Sequence, residues 1–164
     1  MDADLAGRLV DCAQSVLQAE TNEPVTIGRV SALGSPYTSQ HITALIGVAG
    51  SLEGVMIFGF SQETARALVS HMVGQDIDDS DELIYSGVAE LGNVIAGTAL
   101  TDISSRGYFC TISPPTLIIG SGTIISTIKI PRLVFPLTTA QGVVEMQLAL
   151  VPNTNCVRMR PVFH

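Results

Sequence analysis

Ser86-Gly-Val-Ala-Glu90-Leu-Gly-Asn93-Val-Ile-Ala-Gly97 sets a carboxylate and a carboxamide three residues apart within a run of small and apolar residues. Ile84, Val88, Leu91 and Ile95 recur at intervals of three and four, which predicts a long helix from about Asp81 to Arg106. Residues i and i+3 lie about 60° apart around a helix, so Glu90 and Asn93 share a face. Ser86 falls one turn earlier on that stripe, and Gly97 one turn later leaves open space above Asn93. Ala89, Gly92, Ala96 and Ala99 form an adjacent face of small residues, which lets a sheet or helix approach closely. Asparagine is a poor mid-helix residue because its amide competes with the backbone. A Glu-x-x-Asn pair can hold a partner with the acid and orient a water with the amide. Spacing alone also fits the ordinary solvated side of an amphipathic helix.

Before this segment the pattern starts helical. Leu5, Leu9, Cys12, Ala13, Val16 and Leu17 predict a helix over about Leu5 to Ala19, stopped by Thr21-Asn-Glu-Pro24. Val25 to Leu33 reads as a strand, Gly34-Ser-Pro36 as a turn, and Ile42 to Ala49 as a strand. Gly50-Ser-Leu-Glu-Gly54 joins it to Val55–Phe60 as a hairpin. A phosphate-cradling glycine loop would need a helix N-terminus next, and an apolar strand pattern follows instead. Ser61-Gln-Glu-Thr64 caps a short helix ending at Gly74, and Gln75 to Glu82 is an acidic linker. Asp76, Asp78 and Ser80 alternate there, but the glycine and distal glutamate of a calcium loop are missing.

After Gly107, Tyr108–Ile112, Thr116–Gly120, Thr123–Leu133 and Val143–Val151 read as strands, with Ser113-Pro-Pro115 a rigid extended turn. Thr138 to Gly142 reads as the last turn. Pro131 and Pro136 place their segment at a sheet edge or at strand ends. The class is α+β, an antiparallel sheet with long helices on one face, in two pseudo-repeated helix-plus-strands halves. At 164 residues, positions 1–164 fit a single domain.

The composition narrows the function. The formal charge of −7 disfavours nucleic acid and an acidic membrane surface. Met1-Asp-Ala-Asp4 is no secretory signal, and no unbroken apolar run nears the roughly 20 residues of a transmembrane helix, which points to the cytoplasm. Cys12, Cys110 and Cys156 are odd in number and scattered, so neither a disulfide framework nor a zinc site is expected. His41, His71 and His164 are isolated, and no Gly-x-Ser-x-Gly elbow or Gly-Lys-Ser/Thr loop occurs. An apolar fraction of 46% and a mean hydropathy of +0.42 suggest a filled β-rich core together with surface buried against a second subunit.

Ser86, Glu90 and Asn93, followed after about twenty residues by Pro115, resemble the pattern of the CheC/CheX/FliY family of chemotaxis phosphatases. The resemblance extends over nearly the whole chain, through Gly50-Ser-Leu-Glu-Gly54 and Ser61-Gln-Glu-Thr-Ala65. CheC and FliY are similar to a double-site design with Glu-x-x-Asn on two helices. Here Glu20 and Glu23 stand at the end of the opening helix without an asparagine, so the single motif is similar to the CheX-like branch. The resemblance implies hydrolysis of the aspartyl phosphate of a CheY-like response regulator. Asn93 would orient the attacking water, and Glu90 would dock the receiver's lysine. Ser86, Gly97, Pro114 and Pro115 would be partner-binding. It further implies no cofactor of the chain's own, Mg²⁺ brought by the receiver, and a homodimer built through the sheets. The alternatives are a non-catalytic receiver-binding adaptor and a structural dimer of the same fold.

Overall fold

A computed structural model describes residues 1–34, 37–126 and 130–156. The chain runs α1 (Ala3–Thr21), β1 (Thr26–Ile27), β2 (Ser31–Leu33), β3 (Tyr37–Thr38), β4 (Ile42–Gly50), β5 (Leu52–Phe60), α2 (Gln62–Val73) and α3 (Leu83–Ser104). It continues with β6 (Cys110–Ile112), β7 (Thr116–Ile119), β8 (Ile124–Ile125), β9 (Arg132–Thr139) and β10 (Gly142–Pro152). The sheet order is β1-β9-β10-β5-β4-β6, with β2 also on β9 and β7 also on β4; every recorded pairing is antiparallel. β3 and β8 make a small separate pair. The α+β reading of the sequence therefore holds.

The two halves interlock: β5 and β10 pair at a central seam, where Gly54 faces Leu150 and Phe58 faces Met146, while β1 and β2 cross to β9 and β6 and β7 cross to β4. On either side lie the hairpins β4–β5 and β9–β10. One sheet face buries Ile42, Ile46, Met56, Phe58, Phe60, Met146 and Leu148 in a cluster with Leu9, Leu17, Ile84, Leu91 and Ile95 of the helices. Burying one such side chain stabilises by roughly 1.5–3 kcal/mol, so this layer holds α1 and α3 to the sheet.

Local chemistry sets the helix ends. The Asp2 carboxylate accepts from the Leu5 N–H at 2.8 Å and caps α1. Asn22, with φ 52°, closes that helix in the left-handed conformation asparagine tolerates. The Ser61 hydroxyl accepts from the Thr64 N–H at 3.1 Å, and Gly74 ends α2. In the linker, Asp78 accepts from both the backbone and the hydroxyl of Ser80, and these hydrogen bonds hold its carboxyl below the usual range.

Several sequence expectations need correction. Pro136 lies inside β9, which has neighbours on both sides, so it is not confined to an edge or a strand end. The outer neighbour is broken opposite it. The register moves from Ile27↔Leu137 to Ser31↔Val134, a one-residue bulge, and the Gly28 N–H donates to the Pro136 carbonyl at 2.7 Å. Proline offers no N–H in return, so the gap falls where a ladder bond is impossible. For the same reason Val25–Leu33 is two short strands. Thr123–Leu133 also divides, because Ile124–Ile125 pairs with β3 while Arg132 begins β9. β9 runs on to Thr139, which shortens the last turn. Residues 35–36 of the expected turn, residues 127–129, and the tail from 157, with His164, lie outside the described residues.

Among the described residues, α3 is long and apolar enough by composition to cross a membrane, which counting unbroken runs missed. Its apolar side instead buries Ile84, Val88, Leu91, Ile95, Ala99 and Ile103 in the core, as a central helix of a folded domain does.

Candidate functional site

α3 turns its buried stripe to the sheet and leaves Ser86 and Glu90 exposed and Asn93 and Gly97 half-buried. The small face brings the helix close to the sheet, Gly92 lying over Ala44, Ile46 and Phe58; on the other side of the buried stripe Gly87 lies against Val69 of α2 so tightly that a Cβ would come within 2.6 Å of it. A groove of about 470 Å³ opens between α3 and the segment after β6. Its walls are Ser86, Ala89, Glu90 and Asn93 on one side and Ile112, Ser113, Pro114 and Pro115 on the other.

Neither Glu90 nor Asn93 makes a side-chain hydrogen bond or ion pair to any described residue. The carboxylate can therefore meet a cation, and the amide keeps both donor and acceptor capacity for a water or an incoming group. Gly97 does not line this groove but the adjoining hollow of about 390 Å³ with Thr101, Ser104 and Thr111; a Cβ there would meet nothing within 4 Å. Five of the six expected site residues thus gather at one groove, and Gly97 sits one turn beyond.

Sequence reasoning missed Ala89, Ile112 and Ser113 as lining residues. The available signal was their place beside the motif and the proline pair.

A larger groove of about 600 Å³ lies between α1 and α3 and is less suited to chemistry. The two helices run antiparallel, and Arg8 donates to Asp102 at 2.8 Å while Arg106 pairs with Asp4, so both cations of the groove are spent on its carboxylates and only Asp11 is left over. Such partly exposed pairs contribute about 0–1 kcal/mol each. Burial, with the carboxylates of Asp102 and Asp11 adding to it, pushes the Cys12 thiol pKa up, which disfavours the nucleophilic thiolate. Cys12, Cys110 and Cys156 are all free, and His41 and His71 are exposed. On α1, Glu20 lies in the last turn and Glu23 beyond the helix end, so they share no helical face.

This groove, on an antiparallel sheet backed by long helices, defines a fold found in solved chemotaxis proteins. Chemotaxis protein CheX from Desulfovibrio desulfuricans superposes with a TM-score of 0.79 at 24% identity, covering 92% of this chain and 99% of that one. CheX in a CheX–CheY–BeF3–Mg²⁺ complex from Borrelia burgdorferi gives a TM-score of 0.78 at 27% identity, covering 91% and 99%. In sequence, the CheY-P phosphatase CheX of Thermotoga maritima is 30% identical over 140 residues, which is 82% of this chain and 90% of that protein. The family model described as chemotaxis phosphatase CheX matches residues 42–138. The chain belongs to the chemotaxis phosphatase CheX family.

Proposed function

We propose that this chain, acting as one domain over 1–164, hydrolyses the aspartyl phosphate of a CheY-like receiver, with Asn93 orienting the attacking water and Glu90 docking the receiver's lysine. The observation that carries the assignment is the uncommitted acid and amide side by side on an open groove. A receiver phosphatase needs little covalent machinery. The acyl phosphate is activated already, and water attacks phosphorus in line as the carboxylate leaves. What a second protein can add is position, which lowers the entropic part of the barrier. Mg²⁺ and the lysine come with the receiver, in keeping with the Borrelia complex, which includes CheY and Mg²⁺.

Ser86 and the Pro114–Pro115 wall shape the receiver's seat, and Gly97 keeps its far end free of bulk. The relative from Thermotoga, a CheY-P phosphatase by name, supports the substrate class. Adding the chain to a receiver carrying acyl phosphate and Mg²⁺ is expected to speed phosphate release well above the receiver's own rate. Tight binding with an unchanged rate would instead make the chain an adaptor.

The working form proposed is a cytoplasmic homodimer. On the sheet face away from the helices, half-buried Leu45, Val55 and Ile118 cover the buried Ile57 and Ile125, and Ile124, the neighbour of Ile125 in β8, is 69% exposed. An apolar patch of this kind suits a second copy. Light scattering at micromolar concentration is expected to give twice the 17.3 kDa chain mass. A stable monomer would overturn the dimer.

A further inference from the structure

The wall opposite Glu90 and Asn93 is a bulge held by one side chain. β6 and β7 both pair with β4, but the register moves by one residue between Val48↔Ile112 and Leu45↔Thr116. Ser113, Pro114 and Pro115 therefore face only Ile46 and Gly47. Neither proline can donate to β4, and the segment bows outward to line the groove.

The Ser113 N–H still donates to the Gly47 carbonyl at 2.9 Å, yet the reciprocal bond is not a backbone one. The Gly47 N–H donates to the Ser113 hydroxyl at 2.8 Å, so the side chain takes the place of the ladder carbonyl that the bulge displaced. The same hydroxyl donates to the Pro114 carbonyl at 3.1 Å, tying its proton to the proline segment. Gly47 makes room for this: a Cβ there would stand 3.1 Å from the Ser113 Oγ. The contrasting bulge opposite Pro136 receives only a backbone donor from Gly28, and no Glu-x-x-Asn pair accompanies it.

We infer that Ser113 is a positioning residue, whose hydroxyl fixes the Pro114–Pro115 wall at the spacing from Asn93 that seats a receiver's phosphoryl group in line with the attacking water. The hydroxyl acts by accepting from Gly47 and donating to Pro114, which ties β4 to the proline segment. The inference rests on the receiver reading above.

The test compares Ser113→Ala and Ser113→Thr with the parent, measuring kcat on an acyl-phosphate-loaded receiver and Kd for the same receiver loaded with beryllofluoride. Hydrogen exchange at the Gly47 amide reports whether the bond is gone. Ser113→Ala is expected to lose about tenfold in kcat, to keep Kd within about threefold, and to expose the Gly47 amide; these are the effects of a loosened approach. Ser113→Thr, which keeps the hydroxyl, is expected to restore all three. In an Asn93→Ala background, Ser113→Ala is expected to cost little more, because residues acting as a unit are not additive. Full turnover by Ser113→Ala, failure of Ser113→Thr to rescue, or an equal loss in the Asn93→Ala background overturns the proposal alone. A parent inactive on every receiver overturns the receiver reading and the proposal with it.

Discussion

Asn93→Ala is expected to lower the chain's stimulation of receiver dephosphorylation by about 100-fold or more, since losing the alignment of a reacting group costs on that scale. At 1.36 kcal/mol per factor of ten, this corresponds to about 2.7 kcal/mol of transition-state stabilisation. Folding should not share in the loss. Asn93 is half-buried without a hydrogen bond to any described residue, and alanine is the better helix former by a few tenths of a kcal/mol. Receiver affinity should persist as well, because Glu90 remains to meet the lysine. The measurement is kcat under saturating receiver beside Kd for a beryllofluoride-loaded receiver. If Asn93→Ala turns over as fast as the parent, the amide does not aim the water and the mechanism is wrong.

Gly54→Ala is expected to be the most damaging small substitution for stability. Gly54 has φ 139°, a conformation L residues rarely adopt, and sits at the central seam opposite Leu150. A Cβ there would lie 1.9 Å from the Ala149 carbonyl oxygen. That oxygen belongs to the backbone of β10 and cannot rotate away as a side chain could. Strain at such a position is about 1–3 kcal/mol before any displacement of the neighbouring strand, so about 3 kcal/mol or more is expected from denaturant unfolding. A midpoint equal to the parent's, with an unchanged slope, would show that the strand accommodates the methyl group.

Which parts of the molecule could be read from the residues depended on the range of the interactions. α3 was legible because its apolar positions repeat at helical spacing over several turns, and Glu90 and Asn93 had to share a face once the helix was granted. Ser61 and Gly74 marked the ends of α2 through local hydrogen bonds. β9 was misplaced because Pro136 was judged by its own missing donor, whereas what decides is the strand opposite, broken at Gly28. The seam between β5 and β10 left no trace in either strand, since pairing across half the chain writes no periodicity. Pro114 and Pro115 could be assigned to the site only through the family resemblance. Ser113 was hidden for a different reason: a serine before two prolines looks like any turn residue, and its bond to Gly47 appears only once β4 lies alongside.

The central seam also governs how quickly the molecule can assemble. Each hairpin can zip from its own tight turn, but Gly54 and Leu150 meet only after the intervening chain has been gathered in. The entropy of closing so long a loop must be overcome before any strand-to-strand bond rewards it. Bringing the two hairpins together is therefore the step expected to be slow, and until it is complete the inner edges of β5 and β10 stand unpaired, exposed to the neighbouring chains of a crowded solution.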